Sequence, residues 1–556
     1  MSMRSFVALA SFFVFFFSSS DKIKAQPADT VFVNGKVLVG DDRFSVREAI
    51  AVRQDRILAV GTNSEIRRLA GKSTRLVDLQ GRTVIPGLID SHMHAIRAAL
   101  SFATEVNWIG AASLEEALSR VKQAAAAAQP GGWLIVAGGW TDQQFKEKRR
   151  PTQAELAAAA PGHPVYVQWF YAWAMLTQPA LDALKIRTDT DLPSGLKLEI
   201  IEGKPTGAVT GPAIAALFSR LPVPDFDEQV DGTRKFFREL NRLGLTGVID
   251  PGGFNMSPES YRPLFKVWRD GQLTMRVTYS WFSQKRAKEL EEFKELTQLM
   301  PMGFGDGMLR FNGIGERVTW GMYNNDTPTD EEKNQLYVAA KWAAERGLTL
   351  THHWNNDRSV QHLLDVFERV NREIPIAPLR WSIAHLNDGS DANLARMKAL
   401  GVGWAMQNAM YFEGERFVAE RGSDAAHRAP PVMSAVRMGV RTGAGTDAHR
   451  VMSYNPFVAL QWLLDGRTTG GTVLRWADEI PSRQEALRLY TSGSAWFDHS
   501  EKVRGSLETG KLADLAVLTK NYLKVPVDQI GGIESLLTMV GGRIVYAAGP
   551  YEKLEK

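Results

Sequence analysis

Short apolar runs alternate with helical patterns from Thr83 to Thr446, and this alternation constrains the fold more than any other feature of the sequence. Eight runs have strand character: Thr83 to Asp90, Thr246 to Asp250, Met275 to Trp281, Leu309 to Gly315, Leu348 to His352, Arg380 to Ala384, Val402 to Gln407 and Arg441 to Thr446. Helices are expected between them. In the segment Asp330 to Arg346, for example, Thr329 can cap the N-terminus, Glu332 occupies the capping-box position and Gly347 stops the helix. Such alternation argues for parallel strands joined by crossover helices. The expected architecture is α/β, a (β/α)8 TIM-like barrel.

With 556 residues the chain exceeds what one compact core uses, so a second, smaller unit is expected. Both ends read as β-rich. Thr30 to Leu79 holds short strands with an Asn34-Gly35 hairpin signal, and Val503 to Leu507, Asp514 to Leu518 and Leu537 to Tyr546 have strand character again. Neither end alone has enough strands to cover its apolar face. The expected division is a signal peptide at 1–25, a small β-sandwich from 27–80 plus 500–550, and a barrel over 81–499. An insertion at about 97–240 follows the first barrel strand. It carries an alanine-rich helix, Leu114 to Ala128, and the aromatic run Trp169-Phe170-Tyr171-Ala172-Trp173.

Charge and composition narrow the partners. The chain has 66 basic and 62 acidic residues, a net charge of +4, and no Lys/Arg-rich run, which argues against nucleic acid; the expected partner is a small-molecule substrate. A homo-oligomer stays open. The apolar run Phe6 to Phe17 and the polar stretch to Ala25 have the layout of a secretory signal. At 12 residues the run is shorter than the roughly 20 of a spanning helix. The expectation is export, periplasmic or secreted, with no stable membrane span after signal removal; an uncleaved anchor is the alternative. Cysteine is absent, so any metal must be held by histidine and carboxylate.

The sharpest local motif is Pro86-Gly87-Leu88-Ile89-Asp90-Ser91-His92-Met93-His94. Residues two apart on a strand face the same side, so both imidazoles can chelate one ion. Three further candidates end strands of their own: His353, His385 and Asp447. In a (β/α)8 barrel the C-terminal strand ends form the active-site face. His163, His362, His427 and His499 fall in loops or helical patterns instead.

These motifs resemble the amidohydrolase superfamily and, within it, amidohydrolase family 3. The similarity rests on the His92-Met93-His94 stretch, His353 with Asp357, Ile383-Ala384-His385, Gln407, Gly445-Thr446-Asp447, the Gly505 to Leu515 segment and the closing Val540 to Tyr546. It spans about Asp29 to Tyr546. The resemblance implies His92, His94 and Asp447 on one divalent ion and His353 and His385 on or facing a second, one or two ions in all, expected to be Zn2+. Where the family places a carboxylated lysine at the end of strand four, this chain has none; Glu316 is the nearest carboxylate able to bridge, and a solvated Glu316 paired with Arg317 is the competing reading. The family's Asp-Gly-His in the insertion is replaced by Tyr171-Ala172-Trp173, an apolar wall over the site or core packing of the insertion. Trp173, Tyr323 and Gln407 are the candidate substrate contacts, with Asn324, Asn325 and Asp326 placed nearby.

The implied chemistry is hydrolysis of a non-peptide or N-acyl-type C–N bond by metal-activated water. Asp447 would serve as general base and acid, and His385 or His353 would steady the oxyanion. The alternatives are hydrolytic deamination of a cyclic C=N substrate and a non-catalytic metal-binding homologue.

Overall fold

The computed structural model describes residues 26–555, so the signal-like segment lies outside the described residues. Eight parallel strands form two four-stranded sheets. The first holds Leu88–Asp90 (β1), Leu245–Asp250 (β2), Arg276–Trp281 (β3) and Leu309–Ile314 (β4), in spatial order β4-β3-β2-β1. The second holds Thr351–Trp354 (β5), Ser382–His385 (β6), Gly403–Gln407 (β7) and Thr442–Gly445 (β8), in chain order. A parallel bridge, Ile314 to Leu350, joins β4 to the start of β5, and Ser91 N–H donates to Ala444 O at 3.1 Å between β1 and β8. The arrangement is TIM-barrel-like, with helices between strands and the strands almost wholly buried, as sheets covered on both faces require.

The expected strands are present, with shifted ends. The run Leu348 to His352 becomes strand only from Thr351, which places His353 inside β5. The run Thr83 to Asp90 splits at Gly87. Thr83–Pro86 pairs with strands of the terminal domain, and β1 pairs with β2. A β-carbon on Gly87 would stand 2.3 Å from the Thr246 side chain, so only glycine lets the chain pass from one sheet to the other there. The helix Asp330–Glu345 starts at Thr329 with the full capping box, and Gly347 follows it at φ +66°.

Strands from the two ends of the chain share one sheet, which forms part of an auxiliary sheet domain. A six-stranded sheet interleaves them: Arg543–Ala547, Ser535–Val540, Leu515–Leu518, Thr83–Pro86, Lys36–Leu38 and Val46–Arg47. A four-stranded sheet containing Ala28–Val33 faces it, and Phe32, Ile50 and Val77 share a core with Val84, Val517 and Leu537. Two local expectations are corrected. Asn34-Gly35 turns the chain, with Asn34 at φ +59°, but closes no hairpin, because the strands on either side belong to different sheets. Residues 503–507 form turns, since the Val503 and Arg504 amides bond back to Ser500 O and the Arg504 side chain is drawn into a buried pair with Asp498.

The inserted segment forms its own five-stranded sheet from Leu134–Val136 to Lys204–Thr210, with the helix Leu114–Ala127 against it. The helix Phe226–Arg242 then leads into β2 and sends Phe236, Phe237 and Leu240 into the main core. Among the described residues no helix is long and apolar enough to cross a membrane.

A buried ion pair ties the auxiliary domain to β3: Arg276 Nε and Nη2 donate to Asp514 at 2.8 and 3.0 Å. Removing one member strands a desolvated charge. Asp514→Ala is expected to cost about 3–5 kcal/mol of stability without changing metal content, and calorimetric unfolding beside elemental analysis checks both.

Candidate metal centre

Six side chains meet at the C-terminal ends of the parallel strands: His92 and His94 after β1, Glu316 after β4, His353 in β5, His385 ending β6 and Asp447 after β8. All are buried. Past β1 the backbone is no longer strand, yet the alternation persists: Met93 packs into the core, while the imidazoles of His92 and His94 meet edge-on at 5.5 Å. The amides of Met93 and His94 are held by Ile249 O and Ala448 O.

Glu316 is the centre of the cluster. Its Oε2 lies 2.9 Å from His353 Nδ1, 3.1 Å from His385 Nε2 and 3.3 Å from His92 Nε2, and its Oε1 lies 3.6 Å from His94 Nε2. Asp447 Oδ1 faces His94 Nε2 at 3.0 Å and His92 Nε2 at 3.6 Å, and Oδ2 faces His385 Nδ1 at 3.9 Å. The solvated Glu316–Arg317 pair is therefore not formed. Arg317 donates from Nε and Nη2 to Ser283 O and lies against the Trp320 ring at 3.4 Å.

The donors fit a divalent cation. Two overlapping groups, His92/Glu316/His385 and His92/His94/Asp447, each bring their ligand atoms within 4.8 Å of one another. His92 Nε2 and Asp447 Oδ1 are buried and make no hydrogen bond among the described residues. Leaving such atoms unpaired costs about 1–3 kcal/mol each, and a cation shared between them removes that cost. His94 Nδ1–H donates to Gly252 O at 2.5 Å, which turns the Nε2 lone pair toward the centre. Imidazole nitrogens and carboxylate oxygens are the ligand types that zinc and its neighbours take.

The electrostatics point the same way. Burial alone would raise the Glu316 pKa, but His353 and His92 hold it well below the usual carboxylate range. Burial is likewise outweighed at Asp447, where His385, His92 and His94 keep the carboxyl ionised. At His92 burial works downward, yet Glu316 and Asp447 lift the ring to about 10. Burial and then His385 push His353 down to about 4, so that ring is neutral. Its tautomer follows from its neighbours. Asn324 Oδ1 accepts from Asn355 N–H, so Asn324 Nδ2 donates to His353 Nε2, and His353 presents Nδ1–H to Glu316. His353 stands outside both three-residue groups and holds Glu316 from behind.

His385 and Asp447 reach the site from left-handed backbone, φ +76° and +54°. For non-glycine residues such conformations cost on the order of 1–3 kcal/mol and cluster at functional sites. Hydrogen bonds hold them: Trp404 Nε1 donates to His385 O at 2.6 Å, and Asp447 N donates to His92 O at 2.8 Å.

The candidate substrate contacts fall in different places. Tyr323 stacks on His353 with ring centroids 4.3 Å apart, and Gln407 ends β7 with Oε1 buried and unpartnered among the described residues. Trp173 is buried in the core of the insertion beneath Arg150, while Tyr171 of the same run lines a cavity near the site. Asn325 bonds Gly321 O, and Asp326 bonds Arg358 and Ser359, both away from the histidines. The Gly252 carbonyl has no signature in a sequence, because any residue type supplies one.

A second buried cluster fixes the Asp447 loop to the insertion. Glu105 accepts from Arg450 Nη1 at 2.8 Å and from His449 Nε2 at 2.7 Å. Burial opposes its ionisation, but Arg450 holds it down to about 2.

The amidohydrolase family model, family 3 of the superfamily, matches residues 75–546. The chain belongs to that family. An N-substituted formamide deformylase of Arthrobacter pascens is 27% identical over 543 residues, 94% of this chain and 99% of that protein. A metal-dependent hydrolase of uncharacterised function from Pyrococcus horikoshii superposes with a TM-score of 0.64 at 20% identity, covering 90% of this chain and 99% of that one. Atrazine chlorohydrolase TrzN of Arthrobacter aurescens, solved with zinc, gives 0.54 at 17% identity, covering 93% and 95%. These two structures share the fold. Family membership and the donor set make this amidohydrolase a metal-dependent enzyme whose site suits hydrolysis of a C–N bond.

His92→Ala and Asp447→Asn are each expected to lower bound metal and turnover together, measured by elemental analysis and rate. Retention of full turnover after metal removal would contradict the assignment. For Glu105 the sign runs as for any depressed carboxylate. Its contribution, about 3 kcal/mol from a fall of 4.5 to about 2, is present above pH 4.5 and disappears as pH falls toward 2. Denaturation of wild type and Glu105→Gln should therefore differ most near neutrality and converge in that acid window.

Proposed function

We propose that the chain hydrolyses the amide bond of N-acylated amines, N-substituted formamides above all, releasing the amine. The observation that carries this reading is Asp447, a buried carboxylate held ionised with one oxygen facing His92 and His94 and the other turned from them. The relative from Arthrobacter pascens supports the formamide class. We read the eight parallel strands as one closed barrel, on the strength of the contacts joining β4 to β5 and β1 to β8, and the chain as exported, on its N-terminal pattern.

His92, His94, His385, Glu316 and Asp447 would hold the ion, for which zinc suits the donors. When bound, such an ion lowers the pKa of water and polarises a carbonyl. His353 keeps Glu316 in place through Nδ1–H. Asp447 takes the proton of the attacking water on Oδ2 and returns it to the leaving nitrogen. Burial, reinforced by Glu316 and Asp447, keeps the Tyr323 hydroxyl protonated, so it stays a donor for the substrate oxygen beside His353.

Chelator treatment should remove at least about 99% of turnover, two decades of rate, and added zinc should restore it. Equimolar formate and amine should appear from an N-alkylformamide. Ammonia release from aminated rings without formamide turnover would replace this reading by deamination.

A further inference from the structure

Strand β7 lies between β6, which ends in His385, and β8, which leads to Asp447. Packing fixes which of its side chains point inward. A β-carbon on Gly403 would meet the Phe497 ring at 2.9 Å, and Ala405 packs with Phe497 and with Ile249 of β2, in the other sheet. Side chains two apart on a strand share a side, so Gln407 continues this row into the space between the two four-stranded sheets. Register gives its height. His353 is level with Ala384 and Ala384 with Ala405, so Gln407 stands one inward position nearer the C-terminal end than His353. On its other flank Gln407 is level with Gly445, two residues before Asp447.

Gln407 Nε2 donates to Ala405 O at 2.6 Å, which settles which end of the amide is free. The free end, Oε1, is sealed from solvent and accepts from no donor among the described residues. Both amide atoms of Asn408, the next residue, are orphaned in the same way. Sealing polar atoms from water without partners is costly, so a donor that arrives with a ligand belongs at the end of this strand. Asp447 shows where the nitrogen of that ligand lies. Its Oδ1 faces His92 and His94, after β1, whereas its Oδ2 faces His385 Nδ1 at 3.9 Å, at the end of β6. The oxygen assigned to return the proton is therefore directed across the end of β7, over Gln407.

We propose that Gln407 Oε1 accepts the N–H of the scissile amide and thereby selects secondary amides, whose nitrogen keeps one hydrogen, over esters and N,N-disubstituted amides; this role rests on the amide-hydrolysis reading. As the water oxygen joins the carbonyl carbon, nitrogen turns pyramidal and its lone pair needs a proton. With the N–H held by Gln407, that lone pair is free to face Asp447 Oδ2. The C–N bond then breaks, its electron pair leaves with nitrogen, and the proton taken from water passes through Asp447 to nitrogen. The products are the carboxylic acid and the free amine. A site built to bond an N–H rejects an analogue that lacks it more strongly than shape alone allows, because the analogue leaves the buried acceptor stranded.

The test compares N-butylformamide with butyl formate, which has the same shape and an oxygen in place of N–H, on the zinc-loaded full chain. Gln407→Met keeps the side-chain length and removes the acceptor. It should lower kcat/KM for the formamide at least about tenfold, leave the ester within about twofold, and keep metal content unchanged. N-butyl-N-methylformamide, an amide without an N–H, should follow the ester. Should the methionine variant not fold, Gln407→Leu repeats the comparison. A compound that is bound but not turned over is read as a competitor through its inhibition constant. An equal fall for all three compounds, or no fall for the formamide, overturns the inference while leaving amide hydrolysis intact. If none is hydrolysed, the formamide reading fails, and calorimetric binding of N-butylacetamide decides the inference. Binding weakened at least about tenfold in Gln407→Met supports it, and unchanged binding, or none by wild type, overturns it.

Discussion

A carboxylate sealed inside a protein with four imidazoles around it is stable only if charges and protons are apportioned among all of them. Glu316 is that carboxylate, and the rest of the centre is arranged about it. Its oxygens set where His92, His94, His353 and His385 must point, and those rings come from three separate strand ends. The strand register and the backbone at His385 and Asp447 follow from the same demand, since side chains this short reach a common point only when the chain bends sharply behind them. A neutral His353 braced by Asn324 supplies one proton to the cluster, and the positive charge that Glu316 and Asp447 otherwise draw onto the His92 ring is what a divalent cation would supply.

Much of this was legible in the residues. Eight apolar runs gave eight strands because a parallel sheet covered on both faces needs continuous apolar sequence, a pattern that periodicity finds easily. His92, His94, His385 and Asp447 were readable because strand ends in such a fold share one face, and Glu316 because no lysine stood at its position. What escaped depends on tertiary contacts. Asn34-Gly35 has the composition of a hairpin, yet its flanking strands find better partners in two different sheets. Leu348 to Leu350 are apolar enough for strand, but regular pairing begins at Thr351, where β6 lies alongside.

The aromatic run of the insertion shows how finely such a distinction is drawn. Trp173 and Tyr171 are two residues apart, but Trp173 pairs across a hairpin with Trp169 and sinks into the insertion's own core, whereas Tyr171 sits in the turn and reaches the cavity. Core packing is realised by Trp173, while Tyr171 faces a cavity instead.

The tether from Glu105 to Arg450 and His449 joins the inserted sheet to the loop that carries Asp447. A subdomain anchored in that way cannot be exchanged as a free cassette. Any lineage that reshapes the insertion must also keep, or rebuild, the anchor that sets the angle of the Asp447 loop, so the inserted sheet and the geometry of the metal centre are constrained to drift together.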